Sequence, residues 1–327
     1  MIDVLIVSLG STTGGRTSDD EFAASLQRAG ARTALVRASP QPDVRTYALT
    51  DLVWARAARR AARHGIQEYE PRVVVYSTTT AALLWPLKGA IRFDALCPVT
   101  RPGRHGIWQR SREHRRLEQA SLLIPVDESS LQGAGVTGTP SVVVPIPVES
   151  SAGAGSYAPS RDIAAVTYQS DPEMKGLDFL LEAWEQVRRE GEELVVAGLE
   201  RENRDGVRFV GRLERAEYRA LLRRSKLFVI APKREGYGIA QLEALADGCR
   251  LVTTRADGPY VALSILERID PAAIASREDF PAAIRVALDS VDEDGQWAAQ
   301  AARELTAFRR DRIDQVVATE LLPRLLR

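Results

Sequence analysis

Short apolar runs recur along the chain, each followed by a polar or glycine-rich turn and then by an Ala/Arg-rich stretch of helical period. In the first half the runs Asp3 to Ser8, Thr33 to Val36, Arg72 to Tyr76, Leu122 to Val126 and Ser141 to Val144 read as strands. Between them, Ser18 to Ala29 reads as a helix capped by Ser18, with Phe22, Leu26 and Ala29 on one face, and Asp51 to Arg63 and Ile107 to Gln119 read as further helices. From Pro145 to Ser160 the pattern lapses into PIPVESSAGAGSYAPS, a Pro/Gly/Ser/Ala stretch without period that reads as a linker. The alternation then restarts. Strands are expected at Ile163 to Tyr168, Glu193 to Ala197, Val207 to Val210, Leu227 to Ile230 and Arg250 to Thr254, with helices at Gly176 to Arg189, Arg215 to Arg224 and Gly238 to Ala246. The last fifty residues read as mostly helical, punctuated by Pro281 and Pro323. Strands alternating with helices on both sides of one linker predict two α/β domains with parallel sheets.

Composition narrows the function. The 327 residues carry 44 basic and 44 acidic side chains for a net charge of zero, at 45% hydrophobic and 27% charged, which excludes a disordered chain and a generally basic nucleic-acid binder. Only four of the basic residues, Lys88, Lys175, Lys226 and Lys233, are lysine. Where arginine has replaced lysine almost everywhere, a retained compact ammonium marks a position of interest. The two cysteines, Cys97 and Cys249, form no CxxC pair, so a reducing, cytoplasmic setting is expected. The opening MIDVLIVSLG has no basic residues before its apolar run and reads as a strand rather than a signal peptide. No apolar stretch approaches the roughly 20 residues that span a bilayer.

Ligands of parallel α/β sheets sit beyond the carboxyl ends of the strands, so the strand-to-helix turns carry the candidate chemistry. The first, GSTTGGRTS from Gly10 to Ser18, has the spacing of a phosphate-cradling P-loop with Arg16 in place of the lysine, and Asp127 and Glu128 as candidate Mg²⁺ partners. It also reads as a tight turn needing positive φ, or as a Gly14-Gly15 loop that lets backbone approach a ligand. The most informative segment is APKREGYGIAQLEALADG, Ala231 to Gly248. Amides at the helix start around Gly238 and Ile239 are suited to phosphate oxygens, and Lys233 and Arg234 add charge. Glu235 and Glu243 would repel a phosphate, so facing a ligand they would hold neutral hydroxyls; otherwise Glu235 complements a helix N-terminus and Glu243 lies on a solvated helix face. The segment Arg101 to Glu118, with Arg101, Arg104, His105 and His114, and the helix Trp54 to Gly65 are strongly basic. Each reads as a solvated helix face or as a rim favouring an anionic acceptor or an anionic membrane surface. With three histidines and no carboxylate cluster, no metal site is expected.

EGYGIAQLEALADG resembles the paired-glutamate signature of the retaining GT-B-fold glycosyltransferases of family 4. SDPEMKGLDFLLEAW, Ser170 to Trp184, resembles that family's diphosphate-binding Lys-Gly and following helix, VRFVGRL resembles the strand and Gly that border the nucleotide base, and SKLFVIAPKREGYG fits the strand leading into the signature. The resemblance covers residues 163 to 260 well and the first half loosely. It implies a GT-B fold of two Rossmann-like domains facing across a cleft: residues 1–146 for the acceptor, a linker at 147–161, residues 162–303 for a nucleotide-diphosphate sugar, and 304–327 returning to the first domain. It further implies retaining, metal-independent sugar transfer to an unknown acceptor, with no cofactor and no nucleic-acid partner; the basic rim leaves a peripheral membrane contact open.

Carried over by position, Lys175 would bind the diphosphate together with amides near Gly236, Gly238 and Ile239 and with Lys233; Glu243 would take the ribose hydroxyls, Gly211 would border the base, and Glu235 would contact the sugar. Gly14 and Gly15 would face the diphosphate from the first domain. Where family members carry an Arg before the Lys, this chain has Gln169 and Ser170, and Asp94, in IRFDALCP, stands where the family often has a His; Asp94 could orient an acceptor hydroxyl or act as a cap. Arg101, Arg104 and His105 would lie on the acceptor side. Two alternatives stay open: a degenerate relative that binds sugar nucleotide or a partner without turnover, and a P-loop-like NTPase using Gly10 to Thr17.

Overall fold

Apolar runs too short for helices become strands when helices cover both faces of the sheet they form. Such sheets are seen twice in the computed structural model, which describes residues 1–42, 44, 46–136, 138–152, 161–258, 260–290 and 295–327. The chain divides into Met1–Pro147 with Phe308–Arg327, and Val148–Ala307. Residues 153–160, in the second half of the expected linker, lie outside the described residues.

The first domain holds β1 (Ile2–Ser8), β2 (Thr33–Arg37), β3 (Pro71–Tyr76), β4 (Ala90–Phe93) and β5 (Leu123–Pro125). Their order is β2-β1-β3-β4-β5, all pairs parallel, with Leu5 of β1 between Ala34 and Val74. One face packs on Ala57, Ala58 and Ala62 of the helix Tyr47–Tyr69 and on Leu117 of Ile107–Gln119. The other packs on Phe22 and Leu26 and on Ile313, Val317, Leu321 and Leu325 near the end of the chain. There Asp314 accepts from Arg28 at 2.6 Å and from Ser25 at 2.5 Å.

Three local expectations are corrected. The first helix is Thr13–Arg28, capped by the Thr12 hydroxyl, which accepts from Gly15 N at 3.0 Å; Ser18 is not the cap but a buried acceptor for Arg92 at 2.8 Å. Two glycines each cost about 1 kcal/mol in a helix interior, which makes Gly14-Gly15 look like a turn, but in the first turn a side-chain cap outweighs that cost. The second helix extends to Tyr47–Tyr69 from a Thr46 cap. Ser141 to Val144 is not a full strand: Val142 N and Val144 N donate to Leu123 O and Pro125 O at 3.0 and 2.9 Å, but prolines at 140 and 145 bracket the segment and remove donors.

The second domain holds β6 (Ile163–Tyr168), β7 (Leu194–Ala197), β8 (Val207–Gly211), β9 (Ser225–Ile230), β10 (Arg250–Thr254) and β11 (Ile274–Ala275). The order is β11-β10-β9-β6-β7-β8, again all parallel. The chain runs outward from β6 to β8, then returns to the other side of β6 with β9, so neighbouring strands β6 and β9 send their connections to opposite faces. That topological switch opens a crevice beyond their carboxyl ends. Helix Leu177–Val187 is anchored by Trp184, fully buried, whose Nε1 donates to Gly206 O at 2.9 Å. Among the described residues no helix is long and apolar enough to cross a membrane.

Candidate active site

The loops after β6 and β9 meet at the switch point of the second sheet. The first carries Lys175 and Gly176. Gly176 has φ +69°, and a Cβ there would sit 2.0 Å from Ala231 O, so only glycine lets this turn lie on the end of β9. Lys233 N donates to Met174 O at 2.9 Å and ties the two loops together. The result is a close ion pair: Lys175 Nζ lies 2.7 Å from Oε1 and 2.6 Å from Oε2 of Glu235. The Glu235 side chain is 7% exposed and that of Lys175 20%. An ion pair sheltered this far from water needs further hydrogen bonds to repay its desolvation. Glu235 has them, from Gln241 Nε2 at 2.6 Å and from Gly236 N at 3.1 Å.

The backbone of Glu235 is held as firmly. Its N donates to Asp257 O at 3.0 Å, and a Cβ on Gly258, at φ +117°, would meet Glu235 O at 1.9 Å. Gly238, at φ +81°, starts the helix Ile239–Ala246, whose first amides point out of the helix end beside this pair.

Glu243, on the second turn of that helix, is buried rather than solvated. Arg215 Nη2 lies 2.9 Å and Arg219 Nη1 3.4 Å from its Oε1, while Arg219 Nε donates to Asp247 at 2.6 Å. Burial holds the Glu243 carboxyl above the usual range, against the pull of Arg219 and Arg215. Two i, i+4 pairs of opposite sign, Arg215/Arg219 and Glu243/Asp247, thus face each other across neighbouring helices. The sequence reading missed both arginines, Asp247, Gln241 and Tyr260; the matched i, i+4 spacing was the signal available for the three charged ones.

Other expected donor residues fall differently. Gln169 is fully buried, its Nε2 donating to Thr167 Oγ1 at 2.9 Å and its N to Ala197 O at 2.8 Å, so it braces β6 and does not front a ligand surface. Gly211, at φ +64°, ends β8 with open space where a Cβ would stand, and its carbonyl accepts from Gly198 N at 2.7 Å. The Gly236 amide is turned to its neighbour's carboxylate. Lys233 is exposed and 3.6 Å from Glu173.

In the first domain Gly14 and Gly15 occupy the first helical turn, and Arg16 donates back to Gly10 O at 2.8 Å and to Thr13 Oγ1 at 3.1 Å. Asp127 caps the helix Glu128–Gly133 by accepting from Ser130 N at 2.9 Å. A helical turn in place of a loop, with its cation and its acid both engaged locally, is not a P-loop. Asp94 follows β4 at the carboxyl edge, exposed, with Oδ1 accepting from Ala95 N at 2.8 Å. Arg101 is not a free rim cation: it forks onto buried Asp51 at 2.8 and 2.9 Å, and Gln109 joins at 3.1 Å. Arg104 is exposed, and the side chain of His105 lies outside the described residues. Among the described residues no group of three or more His, Cys, Asp or Glu is placed to hold a metal ion.

Glu113 is buried nearby with Oε1 accepting from Cys97 N at 2.8 Å, and burial pushes its carboxyl above the ordinary value. A carboxyl whose folded pKa is raised gives up its proton first in the unfolded chain, so it costs stability as pH rises from the unfolded pKa through the folded one. Glu113→Gln keeps the acceptor and removes the charge. Urea unfolding should show it more stable than wild type at pH 8, with the gain fading as pH falls into the range where the carboxyl is protonated in both states. A gain independent of pH would contradict this origin.

Comparison with known proteins agrees with this architecture. Residues 161–290 match the family model described as "Glycosyl transferases group 1". No curated protein sequence matches the chain. Among solved structures, WaaG, a glycosyltransferase involved in lipopolysaccharide biosynthesis, superposes with a TM-score of 0.70 at 14% identity over 96% of this chain and 99% of its own. Sucrose-phosphate synthase from Thermosynechococcus elongatus gives 0.67 at 15% identity over 98% and 95%. The N-terminal domain of Candida albicans trehalose-6-phosphate phosphatase gives 0.69 at 12% identity over 98% of both. The fold is that of the GT-B glycosyltransferases, and the family match falls within the second domain.

Proposed function

We propose that the protein transfers a sugar from a nucleoside-diphosphate donor to an acceptor hydroxyl with retention of anomeric configuration and without a required metal. The observation that carries this reading is the meeting of Lys175 and Glu235, from the loops after β6 and β9, at the switch point of the second sheet. Lys175, with the amides at the start of Ile239–Ala246, stabilises charge on the leaving diphosphate. Glu235 accepts from hydroxyls of the transferred sugar, and Glu243 takes the ribose hydroxyls. The bond from the anomeric carbon to the phosphate oxygen breaks with its electrons passing to that oxygen. The acceptor oxygen bonds the same face of the carbon, and its proton goes to the departing phosphate. Asp94, at the carboxyl edge of β4, orients the acceptor hydroxyl. The test is a panel of UDP-, GDP-, ADP- and dTDP-sugars with and without EDTA: one donor should be consumed, EDTA should not stop it, and the product should keep the donor's anomeric configuration by NMR. Inversion, or a strict metal requirement, would overturn the corresponding part.

Burial of Gln169 where the family resemblance leads one to expect an arginine favours a second reading, a binder without turnover. It is distinguished by donor binding in calorimetry with no consumption across the panel.

The acceptor side is basic. Arg56, Arg60 and Arg63 on Tyr47–Tyr69 and Arg115 on Ile107–Gln119 are exposed, as are Leu49 and Ile107 in the first turns of these helices, 48% and 61%. Arg116 feels the crowding: burial first, then Arg112, Arg115 and Arg59, hold its pKa down. Basic and apolar groups together fit an anionic lipid surface, and the two buried free cysteines fit a reducing, cytoplasmic setting. Co-sedimentation with anionic but not zwitterionic vesicles, lost in the double variant Arg60→Glu/Arg63→Glu, checks the contact; equal binding to both vesicles would remove it.

A further inference from the structure

Behind Glu235, away from Lys175, lies a buried polar chain that the proposed reaction leaves unused. Gln241, 1% exposed, donates from Nε2 to Glu235 Oε2 at 2.6 Å. Its side chain also interacts with the hydroxyl of Tyr260, which is 2% exposed. The same hydroxyl lies 2.7 Å from Thr253 Oγ1, and Thr253 sits fully buried within β10. The Tyr260 ring packs on Gly238, where a Cβ would come within 3.1 Å of it. So the line Thr253, Tyr260, Gln241, Glu235, Lys175 runs from the interior of the sheet to the site.

A glutamine at the core-facing side of a short helix is costly unless its amide is used. An apolar residue would fill the same volume on Ile239–Ala246, whose neighbours Leu242, Ala244 and Leu245 are fully buried and apolar. What the amide supplies is directional. In the free chain Glu235 is fixed from both sides, by Lys175 and by Gln241. Once a diphosphate competes for Lys175, only the Gln241 and Gly236 donors remain to orient the carboxylate, and only Gln241 is braced from the core.

We propose that Gln241, braced by Tyr260 and Thr253, is a positioning residue that holds the Glu235 carboxylate in place when Lys175 is drawn to the diphosphate. This rests on the reading of Lys175 and Glu235 as donor-site residues.

Two measurements test it. The first needs no nucleotide. With only four lysines in the chain, ¹³C reductive methylation gives few NMR signals, and Lys175 is assigned by its loss in Lys175→Arg. Gln241→Met, which keeps volume and removes the amide, should shift the Lys175 signal and leave those of Lys88 and Lys226 in place. An unmoved Lys175 signal would overturn the proposal. The second uses whichever UDP-, GDP-, ADP- or dTDP-sugar wild type consumes. Gln241→Met should lower kcat at least tenfold with KM and affinity for the matching nucleoside diphosphate within threefold, and Tyr260→Phe should lower kcat about threefold. Gln241→Glu should recover as pH falls, because a protonated carboxyl can donate to Glu235 whereas an ionised one repels it; its activity relative to wild type should decline from pH 6 to pH 9, while the Gln241→Met ratio stays flat. A kcat unchanged in Gln241→Met, or flat ratios for both variants, would refute the positioning role. If wild type binds and consumes no donor, the functional reading fails, and the lysine signal still decides whether Gln241 sets the geometry of the pair.

Discussion

Lys175→Ala should remove at least half of the thermal stabilisation by the nucleoside diphosphate that stabilises wild type. A ligand at 100 times its Kd adds about 2.7 kcal/mol to the folded state, which for a domain of this size raises the melting temperature by roughly 5 to 10 °C. Lys175 is one of four lysines among forty arginines, and its ammonium sits within 2.7 Å of both oxygens of Glu235. A small ammonium can leave that carboxylate for a phosphate with little movement, whereas a guanidinium is a wider planar fork. Removing one hydrogen bond to a charged group costs about 1.5 to 3 kcal/mol, so affinity should fall at least tenfold, and Lys175→Arg should restore only part of it. The variant should stay folded, since Glu235 keeps Gln241 and Gly236 as donors. An undiminished stabilisation by the same nucleotide in Lys175→Ala would remove Lys175 from the donor site.

The largest stability loss is expected next door, in Gly176→Ala. The residue stands at φ +69°, and the added Cβ would be 2.0 Å from Ala231 O. The left-handed conformation alone costs an alanine roughly 1 to 2 kcal/mol. The clash is with backbone at the end of β9, which cannot rotate away, so the total should exceed about 3 kcal/mol and lower the melting temperature by roughly 10 °C. Gly191 is the control. It has φ +81° but nothing within 4 Å of its Cβ position, so Gly191→Ala should pay the conformational cost only. Equal losses in the two variants would show that close packing of the Lys175 loop on β9 is not what requires glycine. Because the clash would push the loops after β6 and β9 apart, Gly176→Ala should also weaken nucleotide binding where Gly191→Ala does not.

Much of the second domain was legible in the sequence because its signals are local. The strands Ile163–Tyr168 and Arg250–Thr254 and the helix Arg215–Arg224 show their apolar period within a few residues, and the structure keeps those bounds. Lys175-Gly176 and Glu235 could be marked by residue type and spacing. Their environment could not. Glu243, open to reading as a solvated face, is buried by arginines from another helix, and Gln169, expected near a diphosphate, is turned into the sheet. Long-range partners of this kind leave no period in the chain.

The first domain misled where local rules compete. Gly14-Gly15 spoke for a turn, yet the Thr12 cap and the Arg16 anchor to Gly10 make it helix, which removes the P-loop. Arg101 counted as surface charge until Asp51, fifty residues earlier in the chain, claimed it.

What the amino-acid sequence determined by itself was the alternation of strand and helix, and with it parallel sheets, since hydrophobic period and turn chemistry act between residues close along the chain. Tertiary structure alone decided that the loops after β6 and β9 are neighbours, that Lys175 and Glu235 pair, and that Gln241 and Tyr260 stand behind them. Strand order is set by how whole helices pack on a sheet, and a contact across 60 residues, such as Lys175 with Glu235, exists only once that order is in place.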